Sequence, residues 1–179
     1  MDGDTISLEV TIRTANNPLF EETAQAIAQA WRDIGVEVQV EQYEQGDLLQ
    51  SVIRPRDFQA LLFGLDMSRA IDLYPFWHSS QREDPGLNIA QYANIEVDAL
   101  LQKARMTQDR SEADTLIAQA VAIITNEYPA VFLFTPALTY VVSNDLIASD
   151  IKHISKPYER FMNIETWYME TNDVWNIFK

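Results

Sequence analysis

Two carboxylates follow a short apolar segment of the chain and are well placed to bind a ligand. Residues 58–63 are nearly continuously apolar, which predicts a central strand covered on both faces. Asp66 and Asp72 come just after it, at the end of a strand where ligands of open α/β sheets collect. A carboxylate there could pair with a ligand ammonium group through charge-assisted hydrogen bonds. Either one could instead cap a short helix at residues 73–77, because Asp is favoured at helix N-caps.

Aromatic side chains cluster in the same stretch. Residues 65–94 show no sustained period, and a long irregular segment inside a compact domain is usually functional. Aromatic rings offer a ligand flat apolar walls with a polar edge, although they could equally form a small core that holds the loop down. We expect Asn88 and Tyr92 to brace this loop. The predicted ligand-binding residues are Asp66, Asp72, Tyr74, Phe76, Trp77 and His78.

The tripeptide His-Ser-Ser at 78–80 also allows a hydrolase hypothesis. In this alternative a small hydrolase would use His78 with Asp66 or Asp72. Adjacent residues rarely face one another usefully, the chain has no G-x-S-x-G elbow, and catalytic triads are defined by geometry. We therefore predict no catalytic residue and a protein that is not an enzyme.

Composition excludes several other functions. The chain of 179 residues carries a formal net charge of −14, which disfavours nucleic acid because that affinity comes mainly from Lys and Arg. There is no cysteine and there are only two histidines, so a site made of His78, Glu83 and Asp84 is a poor candidate for a metal. We predict no metal and no cofactor. No apolar run approaches the roughly 20 residues of a membrane span.

The periodicity predicts an α/β layer fold. Apolar residues alternate over 6–12, recur at helical spacing over 20–34 and alternate again over 36–40. This pattern indicates a parallel strand-helix-strand unit. Asn17, followed by proline, marks the start of the helix, and Gly35 marks its end.

The rest of the chain continues with helices and then strands. We expect a short helix at 47–53, a helix with its apolar stripe at 97–104, and another that begins with Ser111 as its N-cap. Residues 131–134 and 139–142 have the composition of two strands, which would add antiparallel pairing at an edge.

Five stretches, in this order, resemble motifs of the C-terminal lobe of the family 5 extracellular solute-binding proteins, which serve peptide and nickel importers. They are AQAIAQAWRDIGVEVQV at 24–40, DFQA at 57–60 running into Phe63-Gly64, NIAQYANIEVDALLQKAR at 88–105, the stretch 107–118, and EYPA at 127–130 before VFLF. Leu65 stands where the peptide binders commonly have Trp. In those proteins an aspartate a few residues on grips the peptide α-amino group, a role that Asp66 or Asp72 could take.

The resemblance implies an α/β, periplasmic-binding-protein-like lobe, a mixed sheet with helices on both faces. Residues 1–154 would be the C-terminal lobe, and residues 155–179 a tail or crossover segment that packs towards a missing N-terminal lobe. It also implies oligopeptide or other small-solute binding for an ABC-type importer, with a membrane permease as partner. The protein would be periplasmic or extracellular and anchored by a lipid in its full-length form.

The start and the tail leave alternatives open. The first residues lack the basic and apolar regions of a secretory signal, so either the protein is cytoplasmic or the sequence was cut from a longer one; the resemblance implies a lost signal. The tail contains Trp167, Trp175 and Phe178, which could dock a partner in a protein-interaction module. In the family interpretation they cover surface that faces the absent lobe.

Overall fold

The computed structural model describes residues 7–65, 72–147, 154 and 156–169. The chain forms two compact units, the first made of residues 1–66 and 72–131 and the second of residues 67–71 and 132–179. Asp66, Trp175 and Phe178 lie outside the described residues. The predicted boundary between residues 154 and 155 stays a prediction.

The first unit contains most of the regular structure. Its elements are β1 (Glu9–Ala15), α1 (Pro18–Asp33), β2 (Glu37–Tyr43), α2 (Gln45–Asp47) with a π-helical continuation (Leu48–Ile53), β3 (Ala60–Leu62), α3 (Tyr74–Trp77), a 3-10 turn (Ser79–Gln81), α4 (Ile95–Met106) and α5 (Arg110–Glu127). In the second unit the elements are β4 (Leu146–Ile147), two 3-10 turns (Pro157–Phe161 and Ile164–Thr166) and β5 (Tyr168–Met169). The helix expected at 47–53 is therefore present, and all of it after Asp47 is π-helical.

The predicted strand-helix-strand unit is confirmed. β1 and β2 pair in parallel from Glu9 opposite Glu37 to Ala15 opposite Tyr43. Helix α1 begins where expected, because the Asn17 side chain accepts a hydrogen bond from the backbone N–H of Leu19 at 2.9 Å. Gly35 follows its end with a φ of +92°, a conformation that glycine adopts without strain.

The sheet of this unit has a switch in strand order. The order is β2-β1-β3, and β3 pairs in parallel with β1. After β1 the chain therefore continues first to one side of that strand and later to the other. Ligand sites of open α/β sheets lie at the carboxyl ends of the strands at such a switch, which here means just after Ala15 and Leu62.

Three apolar cores stabilise the described elements around this point, and one of them consists of Leu48, Val52 and Ile53 from the π-helical segment. Ile12, Ala24, Ala28, Val38 and Leu62 form the core between α1 and the sheet. The third core joins the α4–α5 pair to α3 and the following loop, and its buried members are Trp77, Tyr92, Val97, Leu101, Ala120 and Ile124. The predicted α/β class is confirmed.

Two details of the sequence prediction are wrong. Asp109 caps α5, not Ser111: its carboxylate accepts hydrogen bonds from the backbone N–H groups of Ser111 at 2.9 Å and Glu112 at 3.5 Å. Ser111 already lies in the first turn, where its own N–H needs a partner.

The strands expected at 131–134 and 139–142 do not form either; both stretches are irregular. Their apolar side chains are largely exposed, with Val131 at 78% and Val141 at 86%. Strand propensity reflects packing against neighbouring strands, and neither stretch pairs with a strand among the described residues. Antiparallel pairing occurs instead between β4 and β5.

Among the described residues, no helix combines the length and apolar character needed to cross a bilayer.

Candidate functional site

An open cavity of about 340 Å³ lies at the carboxyl end of β3. Phe63, Gly64 and Leu65, which directly follow that strand, form part of its wall. Further apolar surface comes from the π-helical segment and from the loop after α3, through Leu49, Ile53, Phe76, Leu87 and Ile89. Among the described residues, those with charged side chains at the cavity are Arg54, Arg56 and Asp84. The position is the one that the switch in strand order favours for a ligand.

Gly64 brings the end of β3 against helix α1. A Cβ atom built on Gly64 would lie 3.1 Å from Cζ of Phe20, which is closer than side chains normally pack. The absence of a side chain thus lets the chain pass directly over the Phe20 ring before it reaches Leu65. The contact between Gly64 and Phe20 holds the lining residues 63–65 close to helix α1.

The two arginines at the cavity differ in their partners. Arg56 adopts a left-handed backbone with a φ of +59°, and its guanidinium donates to the carbonyl oxygens of Arg82 at 3.1 Å, Gly86 at 2.7 Å and Ile53. No carboxylate of the described residues lies within ion-pair distance of it. Arg54 forms an ion pair with Asp84 at 3.6 Å, and both side chains are half-exposed.

Of the six predicted ligand-binding residues, Phe76 lines this cavity. Asp72 instead binds within its own neighbourhood: its carboxylate accepts from the backbone N–H of Tyr74 at 3.1 Å and pairs with Arg105 at 3.2 Å. The guanidinium of Arg105 also lies 4.4 Å from the centre of the Tyr74 ring. Asp72 therefore has local partners at the start of α3, although the N-cap of that helix is Leu73.

Trp77 is a core residue, only 8% exposed. Its indole meets the Tyr92 ring edge-to-face, with ring centres 5.9 Å apart. Tyr74 and His78 stack with ring centres 4.1 Å apart, so the aromatic cluster largely packs on itself and on the α4–α5 pair.

His78 and Ser79 are not arranged as a base and a nucleophile. Nδ1 of His78 accepts from the backbone N–H of Ser80 at 3.1 Å. The backbone N–H of Ser79 donates to Asp98 at 2.8 Å, and its hydroxyl donates to the same carboxylate. No hydrogen bond joins Ser79 to His78 among the described residues, so the contact that would activate a serine is absent there.

No group of three or more His, Asp or Glu side chains in the described part of the chain could hold a metal ion.

The loop after α3 is braced by Asn88 and Tyr92. Asn88 is completely buried; its amide nitrogen donates to the carbonyls of His78 at 3.1 Å and Tyr92 at 2.8 Å, and its oxygen accepts from the N–H of Tyr92 at 3.0 Å. The Tyr92 hydroxyl donates to Glu127 at 2.6 Å. Burial, aided by this hydrogen bond, raises the pKa of Tyr92 to about 12.

The six-residue ligand site stays a prediction. Asp66 lies outside the described residues, and the structure brings Asp72, Tyr74, Trp77 and His78 together around α3 while it places Phe76 at the cavity. Sequence analysis missed Arg54 and Arg56. The signal that could have found them is the tripeptide Arg-Pro-Arg at 54–56, a local concentration of positive charge in a chain of net charge −14.

Comparisons with known proteins identify relatives of this fold. No protein-family model matches the chain. The oligopeptide-binding protein AppA of Bacillus subtilis (strain 168) is 29% identical over 171 residues, which are 94% of this chain and 31% of AppA. The solved structure of AppA in complex with a nonapeptide matches with a TM-score of 0.71 at 28% identity, covering 95% of this chain and 33% of that one. The resemblance to the family 5 solute-binding proteins is confirmed.

Other solute-binding proteins show the same fold. The periplasmic binding protein DppA of Helicobacter pylori, solved with the peptide STSA, matches with a TM-score of 0.61 at 27% identity, covering 69% of this chain and 24% of that one. NikZ of Campylobacter jejuni, solved with Ni(L-His), matches with a TM-score of 0.63 at 22% identity, covering 89% of this chain and 33% of NikZ. The periplasmic-binding-protein-like fold class is thereby confirmed. The chain spans about a third of the length of AppA.

Proposed function

We propose that this chain is the C-terminal lobe of a two-lobe, non-catalytic protein that binds oligopeptides for an ABC-type importer. The proposal rests on the coverage of the alignment with AppA. The aligned residues are 94% of this chain but only 31% of that oligopeptide-binding protein. A nearly complete match on one side and a third on the other is what one lobe of a larger clamp would give. Among the described residues, the hydroxyl of Ser79 donates to Asp98 and not to His78, which does not favour the hydrolase alternative.

The cavity at the end of β3 is the ligand-facing side in this proposal. Two lobes of a clamp close on the ligand by a hinge motion and exclude water from it. A single lobe supplies about half of the contacts and leaves the ligand in water. We therefore expect the isolated chain to bind peptides much more weakly than the two-lobe protein.

Exposed apolar side chains of the second unit support the proposal that another lobe covers part of this chain. Phe132 and Phe134 are 64% and 57% exposed, and large exposed apolar surface usually marks an interaction site. In the proposal the N-terminal lobe covers this surface, and the tail at 155–179 packs towards that lobe. The closed protein would deliver its ligand to a membrane permease from the periplasm or the outer surface, held there by a lipid anchor.

Calorimetric titration with di- to pentapeptides tests the proposal. The two-lobe protein should bind at least some of these peptides with micromolar affinity or better, whereas this chain alone should give no measurable heat. Micromolar binding by this chain alone would contradict its assignment as half of a clamp. If the two-lobe protein binds none of the peptides, and mass spectrometry finds no peptide that co-purifies with it, the ligand class is wrong.

A further inference from the structure

The imidazole of His78 caps the 3-10 turn at Ser79–Gln81. Its Nδ1 atom accepts a hydrogen bond from the backbone N–H of Ser80 at 3.1 Å. The usual residues at such caps are Ser, Thr, Asp and Asn, whose side-chain oxygens accept this bond. Histidine differs from them because both ring nitrogens carry a proton once the ring is charged. The cap of this turn therefore exists only while the imidazole is neutral.

A carboxylate lies close to the same nitrogen. Oδ1 of Asp98 is 3.9 Å from Nδ1 of His78, and the two side chains are only 19% and 14% exposed. Asp98 otherwise accepts from the backbone N–H and the hydroxyl of Ser79, which are neutral donors. An imidazolium that donated from Nδ1 to Asp98 would form a charge-assisted hydrogen bond, which is stronger than a neutral one. Protonation would thus exchange one partner of Nδ1 for another.

Among the described residues, the ionisable side chains around His78 come from α3, from the residues before it and from α4. Tyr74 of α3 stacks on the imidazole with ring centres 4.1 Å apart. The guanidinium of Arg105 in α4 lies 4.4 Å from the centre of the Tyr74 ring and pairs with Asp72 at 3.2 Å. Asp98 is the carboxylate within reach of Nδ1, because Asp72 already has a cationic partner.

The turn that His78 caps also touches the rim of the cavity after β3. The N–H of Gln81 donates to the carbonyl of His78 at 3.0 Å, and the carbonyl of Gln81 accepts from the N–H of Asn88 at 3.0 Å. Gly86 packs against that same carbonyl so closely that a Cβ atom built on it would collide with the oxygen. Since Gly86 and Leu87 line the cavity, a movement of the turn displaces part of its rim.

We propose that His78 is a pH-sensitive switch of this loop. When its imidazole takes up a proton, Nδ1 releases the N–H of Ser80 and donates to Asp98. The turn then shifts, and Gly86 moves with it. Histidine is the side chain that ordinarily changes charge between pH 5 and 8, so the change is to be sought in that range. The inference goes beyond the proposed function and holds whatever solute the cavity binds.

An NMR titration of this chain from about pH 8.5 to about pH 5.5 tests the switch across the range in which histidine changes charge. Ring nitrogen resonances should show the neutral imidazole of His78 protonated on Nε2 at high pH, as its acceptor role at Nδ1 requires. The amide resonances of Ser80 and Gly86 should change with the same midpoint as the ring. The Ser80 amide, corrected for the intrinsic pH dependence of exchange, should exchange roughly fivefold faster below the midpoint, as the loss of one ordinary hydrogen bond predicts.

Two variants separate the cap from a general effect of pH. His78→Asn keeps a side-chain oxygen that can cap the turn but does not titrate, so the changes at Ser80 and Gly86 should disappear. His153→Asn removes the other histidine of the chain and should leave the wild-type titration unchanged. If His78→Asn loses its folded spectrum, His78→Ser takes its place, because serine is also favoured at caps.

The outcomes decide between a switch and a histidine with no structural consequence. If the ring of His78 titrates, the Ser80 amide loses protection with it and Gly86 shifts at the same midpoint, the inference holds. It is overturned if the ring does not titrate in this range, if exchange at Ser80 or the resonance of Gly86 stays constant, or if His78→Asn keeps the same pH dependence. The proposed function is tested separately by the calorimetric titration at fixed pH, and either can fail without the other.

Discussion

In the loop between α3 and α4, polar side chains find their partners within the loop and its neighbouring helices, whereas at the cavity after β3 several apolar side chains stay exposed. Asn88 satisfies three backbone groups while fully buried, and Asp98 accepts twice from Ser79. At the cavity, Leu65 and Leu87 stay nearly half exposed. The comparison shows that polar and ionisable side chains can serve mainly to hold a loop in place. Apolar side chains nearby can remain exposed and available for contacts.

The largest effect should come from removing the amide of Asn88. Asn88→Ala leaves the carbonyls of His78 and Tyr92 and the N–H of Tyr92 without their partner. Because an unsatisfied buried polar group costs about 1–3 kcal/mol, we expect the free energy of unfolding in urea to fall by about 3 kcal/mol. The exposed Gln102→Ala in α4 is the control, and an equal effect there would show that the loop is not held by Asn88.

A second effect should depend on pH and come from Tyr92. Its pKa is raised from 10.0 to about 12 in the folded chain, so the protonated hydroxyl is favoured by folding. This contribution is fully present below pH 10 and is lost as the pH rises to about 12. Urea unfolding between pH 9 and 12 should show this loss in the wild type (a window set by the Tyr92 pKa).

Tyr92→Phe provides the matched comparison for that pH dependence. It should be less stable than the wild type at neutral pH by about 1 kcal/mol, the usual worth of one hydrogen bond. Its stability should fall less between pH 10 and 12 than that of the wild type, whose pKa lies in this window. Parallel pH curves for the two proteins would show that the hydroxyl of Tyr92 titrates alike in the folded and unfolded chains.

A smaller effect should distinguish the two roles that Asp72 could play. Asp72→Asn weakens an exposed ion pair with Arg105, and such pairs contribute about 0.2–1 kcal/mol, so stability should fall by no more than that. If Asp72 only supports α3, the peptide affinity of the proposed two-lobe protein should stay within about twofold. A loss of tenfold or more with unchanged stability would return Asp72 to the ligand site.

The smallest effect on stability should come from the cavity wall. Leu87 is 47% exposed, and truncating a half-exposed side chain away from a core usually changes stability by less than about 0.5 kcal/mol. We therefore expect Leu87→Ala to unfold at nearly the same urea concentration as the wild type. A loss comparable to that of a core residue such as Leu101→Ala, about 2–5 kcal/mol, would show that the wall is part of the core and not a site.

Local signals predicted the first half of the fold well. The β1-α1-β2 unit follows from its periodicity, from Asn17 as the cap of α1 and from Gly35 after its end, all of which act within a few residues. The stretches at 131–134 and 139–142 have equally strong composition and are not strands, because a strand needs a neighbour that composition cannot supply. The sequence also did not distinguish Asp109 from Ser111 as the N-cap of α5. Both residue types are favoured at helix N-caps, and the position of the cap depends on where the backbone enters the helix.

The site was harder to predict because its parts come from distant segments. The guanidinium of Arg56 is held by carbonyls of Arg82 and Gly86, which are 26 and 30 positions away. Nothing in the sequence around Arg56 indicates those contacts. Trp77 illustrates the converse: its type suggested a ligand wall, and only its 8% exposure shows that it packs in the core.

The bare backbone of Gly64 over the Phe20 ring has a consequence for how this protein could change over time. With 3.1 Å left for a Cβ atom, alanine at this position requires the Phe20 ring to move by a few tenths of an ångström. A substitution at Phe20, on the first turns of α1, would likewise reposition Leu65 without touching it. The shape of the cavity can therefore change through a substitution in α1, at a residue that does not line the cavity.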